Sequence, residues 1–353
     1  MINVTQTFLP PQAEYQKIVA RAWDAGWITN RGALVKELEA SLTETLGVDN
    51  LIAMANGTLP LQIALKAFGK SGEIITTPFS YVATTSSIVW EGCTPVFVDI
   101  DPTYLTIDER KIEAAITPKT TAILATHVYG NPCAVNEIEA IAKKHDLKVI
   151  YDAAHGYGVT YNDRSIFEYG DVSTCSFHAT KIFHTGEGGA LFAKKEHLEK
   201  LYFYHNFGHD GPEVFRGLGI NAKMSELHAA MGLAVLPYMD EIIANRRKVV
   251  TQYREDLKVH GLSIRPGTQW NAAYYPVVFD SEATLLQVVN ALRAEKIHPR
   301  RYFYPSLDQL PYIENADVPV SHDIATRVLC LPISHALGEA DCNRIISLIN
   351  AHL

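Results

Sequence analysis

At 353 residues the chain is long enough to bury a substantial core, as one large domain plus a smaller one. Hydrophobic residues make up 47% and charged residues 20%, the balance of an ordinary soluble globular protein. A formal net charge of −8 at pH 7 repels nucleic acid and anionic membranes, so a substrate phosphate needs a local cationic pocket.

The first residues, Met1 to Thr7, lack a basic segment followed by an apolar h-region and do not read as a secretory signal. No apolar run approaches the roughly 20 residues that span a bilayer. From about residue 50 to 195, short apolar runs alternate with helix-period segments. Ile52–Met54 predicts a strand leading to a helix at Leu61–Phe68, and Glu73–Thr76 one leading to Val82–Trp90. Pro95–Val98 leads to Glu109–Ile116, Ala122–Thr126 to Val135–His145, and Lys148–Tyr151 follows as a further strand. Val172–Phe177 and Gly189–Ala193 are two more. This rhythm predicts an α/β fold with a mostly parallel sheet between helices, and ligands in the crevice beyond the strand C-termini. After about residue 240 the texture changes to a helix at Tyr238–Leu257, a strand at Ala273–Phe279 and helices at Glu282–Ala294 and Glu339–His352. The expected division is a large domain over 1–240 and a small α+β domain over 241–353. Five scattered cysteines, odd in number and never paired as C-x-x-C, fit buried reduced thiols in a cytoplasm better than disulfides or a zinc site.

Motifs just after strands carry the chemistry. Ser176-Phe177-His178-Ala179-Thr180-Lys181 runs into Gly186-Glu187-Gly188-Gly189. A lysine between two buried strands is an unusual core residue, and glycines after it permit close approach of a bulky group. The lysine precedes the glycines, which excludes a Walker-type loop. Val149-Ile150-Tyr151-Asp152 is an apolar strand ending in an acid, placed either to pair with a protonated pyridine nitrogen or to cap a following helix. Asn56-Gly57-Thr58 follows a strand and opens a helix, a seat for phosphate on free backbone N–H groups or an ordinary N-cap. Tyr81, after the next strand, is placed to stack on a ring or to pack as core.

In this order the motifs resemble the fold-type I enzymes of pyridoxal 5'-phosphate (PLP), and specifically the DegT/DnrJ/StrS nucleotide-sugar aminotransferases. The likeness covers nearly the whole chain, from Ala22–Asn30 through Thr94–Asp99 to Asn221–Glu226. It implies that Lys181 is the Schiff-base lysine, Asp152 the partner of the ring nitrogen, and His155 the residue beside O3′. It also implies that Gly57, Thr58 and Ser176 bind phosphate, that Tyr81 stacks on the ring, and that Asn206 reaches the phosphate of a neighbouring subunit. A homodimer with shared active sites follows, with the cofactor cycling between PLP and its amine form. Relatives that dehydrate sugars carry histidine in place of the lysine, and Lys181 argues against that branch. Asn221-Ala222-Lys223-Met224 has Ala and Lys where relatives often carry Tyr and Arg.

For the acceptor, Pro299-Arg300-Arg301-Tyr302-Phe303-Tyr304-Pro305 places two arginines and three aromatics together, suited to pyrophosphate and a base or sugar, or to a surface loop with inward aromatics. Arg300, Arg301, Tyr302, Lys223 and His178 are the expected substrate contacts. The resemblance implies L-glutamate as donor and a dTDP-linked keto-6-deoxyhexose as acceptor, with dTDP-4-keto-6-deoxy-D-glucose favoured over a 3-keto isomer. A PLP lyase or desulfurase needs a mobile cysteine at the cofactor, and a PLP-binding regulator needs an appended DNA-binding domain. No metal site is expected: the 14 His are dispersed and H-E-x-x-H is absent.

Overall fold

The computed structural model describes residues 1–353. Seven strands form the central sheet: β1 (Leu51–Met54), β2 (Glu73–Thr76), β3 (Thr94–Phe97), β4 (Thr120–Thr126), β5 (Lys148–Asp152), β6 (Val172–Ser176) and β7 (Gly189–Ala193). Their spatial order is β1-β7-β6-β5-β4-β2-β3. Neighbours from β6 through β3 are parallel, whereas β7 runs antiparallel to both β1 and β6. The expected mostly parallel α/β sheet is present.

Apolar runs that do not alternate are explained by burial on both faces. Ile150 packs with Ile74, Leu124 and Leu191 against Leu61, Leu65 and Phe68 of α3 (Thr58–Phe68). Its neighbours Val149 and Tyr151 point the other way, onto Val135, Ile138 and Ala142 of α5 (Val135–Lys144). Between these two helices in the chain lies α4 (Val82–Trp90), which follows β2. Emptying such a site, as in Ile150→Ala, costs about 2–5 kcal/mol. Preceding the sheet, Leu34, Leu38 and Leu42 of α2 (Ala33–Leu46) cover Ala53, Phe177 and Phe192. The buried Glu226 accepts from the backbone N–H groups of Gly32 (2.8 Å) and Leu34 (2.7 Å), placing a carboxylate at the positive end of α2.

One helical stretch, Glu226–Asp256, is long and apolar enough by composition to cross a membrane. Its residues Ala229, Ala230, Val235, Met239 and Ile242 instead pack into the large core. A 3-10 turn at Leu236–Tyr238 divides the stretch into two helices.

A second core joins α8 (Met239–Asp256), β8 (Tyr275–Val278), α9 (Glu282–Ala294), β9 (Val328–Leu331) and α11 (Glu339–Asn350), whereas α1 (Gln12–Asp24), α6 (Lys195–His205), α7 (Glu226–Val235) and α10 (Pro319–Arg327) bury their apolar residues elsewhere. Ser281 caps α9, accepting from Thr284 N–H at 3.1 Å. The expected division near residue 240 is crossed at the other end of the chain. Ile2–Asn3 pairs in parallel with Ile297–His298, and the carbonyl of Val4 accepts from Ile333 N–H at 3.0 Å. The N-terminal segment is thus tied to C-terminal residues, because its Ile-Asn-Val stretch pairs with a short strand there. All five cysteines are buried and unpaired.

Candidate active site

A cavity of about 260 Å³ opens where β1, β4, β5 and β6 end, beside Tyr274, Arg300 and Tyr302 from the C-terminal part of the chain. The right-handed crossovers of a parallel sheet bring these turns to one edge.

Asp152 is the last residue of β5, opposite Thr126 of β4. No helix follows it, so the capping alternative does not apply. Its Oδ2 accepts from the Thr84 hydroxyl at 2.6 Å and its Oδ1 from Ala154 N–H at 3.1 Å. Burial pushes its carboxyl up from the usual range, opposed by the Thr84 and Ala154 hydrogen bonds and by the charge of Lys181. Lys181 sits in the turn after β6, its N–H bonded to the carbonyl of His178 at 2.8 Å. Burial holds its amine below the usual lysine range, with Tyr302 and Asp152 opposing. The two groups line one cavity without forming an ion pair.

The glycines after Lys181 serve close approach within the chain. A Cβ on Gly189 would lie 2.4 Å from the carbonyl oxygen of Asn56, and one on Gly188 would lie 2.0 Å from Thr185 Oγ1. The strand pair β6–β7 is thereby seated against the β1–α3 turn. At that turn, one on Gly57 would lie 2.6 Å from Ser176 Cβ, so the helix start and the end of β6 touch. The expectation of free N–H groups here is corrected. Thr58 and Leu59 already donate to Asn56 Oδ1, at 2.9 and 3.0 Å, because asparagine readily folds back on the backbone two and three residues on. The side chains of Thr58 and Ser176 and the positive end of α3 remain to face an anion.

His155 is buried, and its Nδ1 accepts from Tyr129 N–H at 3.0 Å. Burial, then the charge of Lys181, holds it well below the ordinary histidine range. It is therefore neutral with its proton on Nε2, a donor for an oxyanion. Its ring lies parallel to Phe303, with centroids 6.1 Å apart. Tyr81 precedes α4 at the cavity wall and is 51% exposed.

At the mouth, Arg300 is exposed with its guanidinium 4.6 Å above the Tyr302 ring. Burial pushes the Tyr302 phenol up to about 12, so it is a donor near neutral pH. Arg301 is a correction. Its guanidinium turns away from the cavity, bonded to Glu282 and to the carbonyl of Thr326, each at 2.7 Å. Successive residues of an extended segment point in opposite directions, so only one arginine of the pair faces the site.

His178 lines the cavity, its Nδ1 2.8 Å from the Thr180 hydroxyl. Lys223 and Asn206 lie outside it. The Lys223 amine is 5.0 Å from the Phe207 ring centroid, and Asn206 bridges to Asn221 in the segment after α6. Of the thirteen expected residues, ten line one cavity and three, Arg301, Lys223 and Asn206, do not. Ser80, Thr126, Glu187 and Tyr274 line it without having been singled out. The small hydroxyls at the ends of β2 and β4 were the available signal, since polar residues terminating buried strands face the crevice.

The donor set fits pyridoxal phosphate. A buried carboxylate without a cation suits a ring N–H, a buried amine without an acid suits a carbonyl, and two hydroxyls at a helix start suit a phosphate.

A family model described as the DegT/DnrJ/EryC1/StrS aminotransferase family matches residues 11–350. The chain belongs to this family. It is 44% identical over 359 residues to the dTDP-4-amino-4,6-dideoxy-D-glucose transaminase of Shigella dysenteriae, covering 99% of this chain and 98% of that one. The enzyme of the same name from Escherichia coli is 39% identical, over 99% and 98%. Among solved structures, DesI in the presence of its TDP-sugar product superposes with a TM-score of 0.93 at 35% identity, covering 99% of this chain and 92% of that one. The resemblance carried by the motifs is thus borne out, together with the fold class. The protein is a sugar aminotransferase of a PLP-dependent family.

Proposed function

We propose that this chain transfers the amino group of L-glutamate to dTDP-4-keto-6-deoxy-D-glucose, giving dTDP-4-amino-4,6-dideoxy-D-glucose. The observation that carries the reading is the unpaired meeting of Lys181 and Asp152 across one cavity, in a chain 44% identical to a transaminase named for that product. When bound, pyridoxal phosphate supplies an electron sink and a carrier for the amino group. Gly57, Thr58 and Ser176 would hold its phosphate end, Tyr81 would cover the ring, and the His155 Nε2–H would serve as the donor to its phenolic oxygen. Asp152 keeps the ring nitrogen protonated. Lys181 would hold the cofactor covalently and, as a free amine, would serve as the base and then the acid for the donor's Cα proton. Burial supports this role by favouring the neutral amine. The acceptor enters past Arg300 and Tyr302, where a guanidinium over a phenol suits a diphosphate beside a sugar or base.

The working form we propose is a cytoplasmic homodimer with shared sites. Asn206, which does not face its own cavity, and the neighbouring exposed Phe207, Phe215 and Leu218 support it as surface for a second copy.

The test is to incubate purified enzyme and L-glutamate separately with the 4-keto and 3-keto dTDP-6-deoxyhexoses, and to locate the new C–N bond by NMR. Amination at C4 is expected; amination at C3 replaces this acceptor with its isomer. Keto acid released in excess of one equivalent per site without any sugar acceptor overturns the transaminase reading in favour of a lyase. A desulfurase needs an accessible cysteine, and all five are buried.

A further inference from the structure

Against Asp152, at the wall of the cavity, three hydroxyls form a buried line. The Thr84 hydroxyl lies 2.6 Å from Asp152 Oδ2, Ser80 Oγ lies 2.8 Å from Thr84 Oγ1, and Thr126 Oγ1 lies 3.0 Å from Ser80 Oγ. None of the three residues is more than 3% exposed. They come from three places: the loop after β2, the first turn of α4 and the last residue of β4. Each hydroxyl has one proton to give. A carboxylate has none, so Thr84 donates to Asp152. The Thr84 oxygen can then only accept, which makes Ser80 its donor, and the same reasoning makes Thr126 the donor to Ser80. Every O–H dipole in the line therefore points toward the carboxylate, and each bond polarises the next.

We propose that the Thr126–Ser80–Thr84 line is a positioning device that keeps Asp152 ionised and aimed at the cavity, and so sets the proton on the ring nitrogen of the bound cofactor. This rests on the pyridoxal-phosphate reading above. Burial alone drives a carboxyl toward its neutral form, and Asp152 has no cation within ion-pair reach. The titratable groups that face it are Lys181 and the Cys175 thiol, the latter held up to about 12 by burial and so neutral. The oriented hydroxyls and the Ala154 N–H are what favour the charge at contact distance.

The test uses the full chain with Thr84→Val, which keeps shape and removes the donor. In cofactor-free protein, the Asp152 carboxyl is followed by 13C NMR, assigned with Asp152→Asn. It should titrate about one to two pH units higher than in the wild type, the equivalent of one hydrogen bond to a charged group. Thr84→Ser should restore the wild-type titration. Thr126→Val, which removes a hydroxyl bonded to Ser80 and not to the carboxylate, should move it the same way by less. With ring-15N-labelled pyridoxal phosphate bound, Thr84→Val should shift the nitrogen resonance toward neutral pyridine and lower kcat about tenfold or more, with KM for glutamate little changed. An Asp152 titration unchanged by Thr84→Val overturns the proposal. Should that variant fail to fold, Ser80→Ala and Thr126→Val carry the same measurement, and no change in either is equally fatal. Failure of the wild type to bind the cofactor sinks the functional reading instead, and the carboxyl titration still judges the hydroxyl line.

Discussion

The backbone N–H of Tyr129 donates to Nδ1 of His155 at 3.0 Å, and that of Cys133 does the same to Nδ1 of His127 at the same distance. Both imidazoles are buried and need their neutral form to accept. Burial lowers His127 to about 3 and His205 to about 4, from an ordinary value of 6.5. Below about pH 6.5 the unfolded chain binds protons that the folded protein refuses, so stability is fully present above that pH and is lost as pH falls toward 4. Each such group costs about 1.4 kcal/mol per pH unit in that window. The thermal midpoint should be nearly flat from about pH 8 to 7 and then fall steeply. A midpoint unchanged between pH 7 and 5 contradicts the neutral, buried histidines.

Lys181→Ala should fold normally and lose turnover by about 10²–10⁴-fold or more, since it removes the proton-transfer amine. Borohydride treatment of the wild type with cofactor should add the mass of reduced pyridoxal phosphate to the peptide containing Lys181. The variant should gain none, and a label elsewhere would move the attachment site.

The two adjacent arginines should separate cleanly by phenotype. Arg300→Ala is expected to raise KM for the sugar nucleotide about tenfold or more while leaving the glutamate half-reaction nearly unchanged. Arg301→Ala breaks hydrogen bonds to Glu282 and Thr326 and should cost about 1–3 kcal/mol of stability, with KM close to wild type. Equal kinetic effects from both would contradict the orientation seen here.

Gly57→Ala forces a Cβ to within 2.6 Å of Ser176 Cβ. The β1–α3 turn has to move away from the end of β6, which separates two of the groups assigned to phosphate. Equilibrium dialysis should show weaker binding of pyridoxal phosphate by about tenfold or more, and binding of inorganic phosphate should weaken with it.

Much of this was legible in the sequence, for reasons visible in particular residues. Asp152 and Ser176 end buried strands, and in a parallel sheet that position alone directs a side chain to the crevice. The continuous apolarity of Val149-Ile150-Tyr151 marked a strand covered on both faces, and the structure buries all three. What escaped depends on contacts between distant segments. Nothing local in Arg300-Arg301 says which arginine faces inward, because that choice is made by Glu282 and the carbonyls at the end of α10. Asn56 reads locally as part of a turn, yet the bonds its Oδ1 accepts from Thr58 and Leu59 alter which groups remain for an anion. Thr84 lies in a Val-Ala-Thr-Thr-Ser-Ser helix that reads as ordinary, and its value comes only from meeting Asp152 across 68 residues of chain.

The pairing of Ile2–Asn3 with Ile297–His298 has a bearing on how the molecule is made. Its two halves lie on either side of the whole central sheet in the chain, so Ile2–Asn3 waits unpaired while that sheet forms behind it. Closing so wide a loop costs entropy before any contact rewards it, which makes this clasp a late event. The segment it secures leads directly into Arg300 and Tyr302. On the proposed reading, the surroundings of Asp152 and Lys181 therefore form first, and the wall of Arg300 and Tyr302, past which the sugar is proposed to enter, is fixed last.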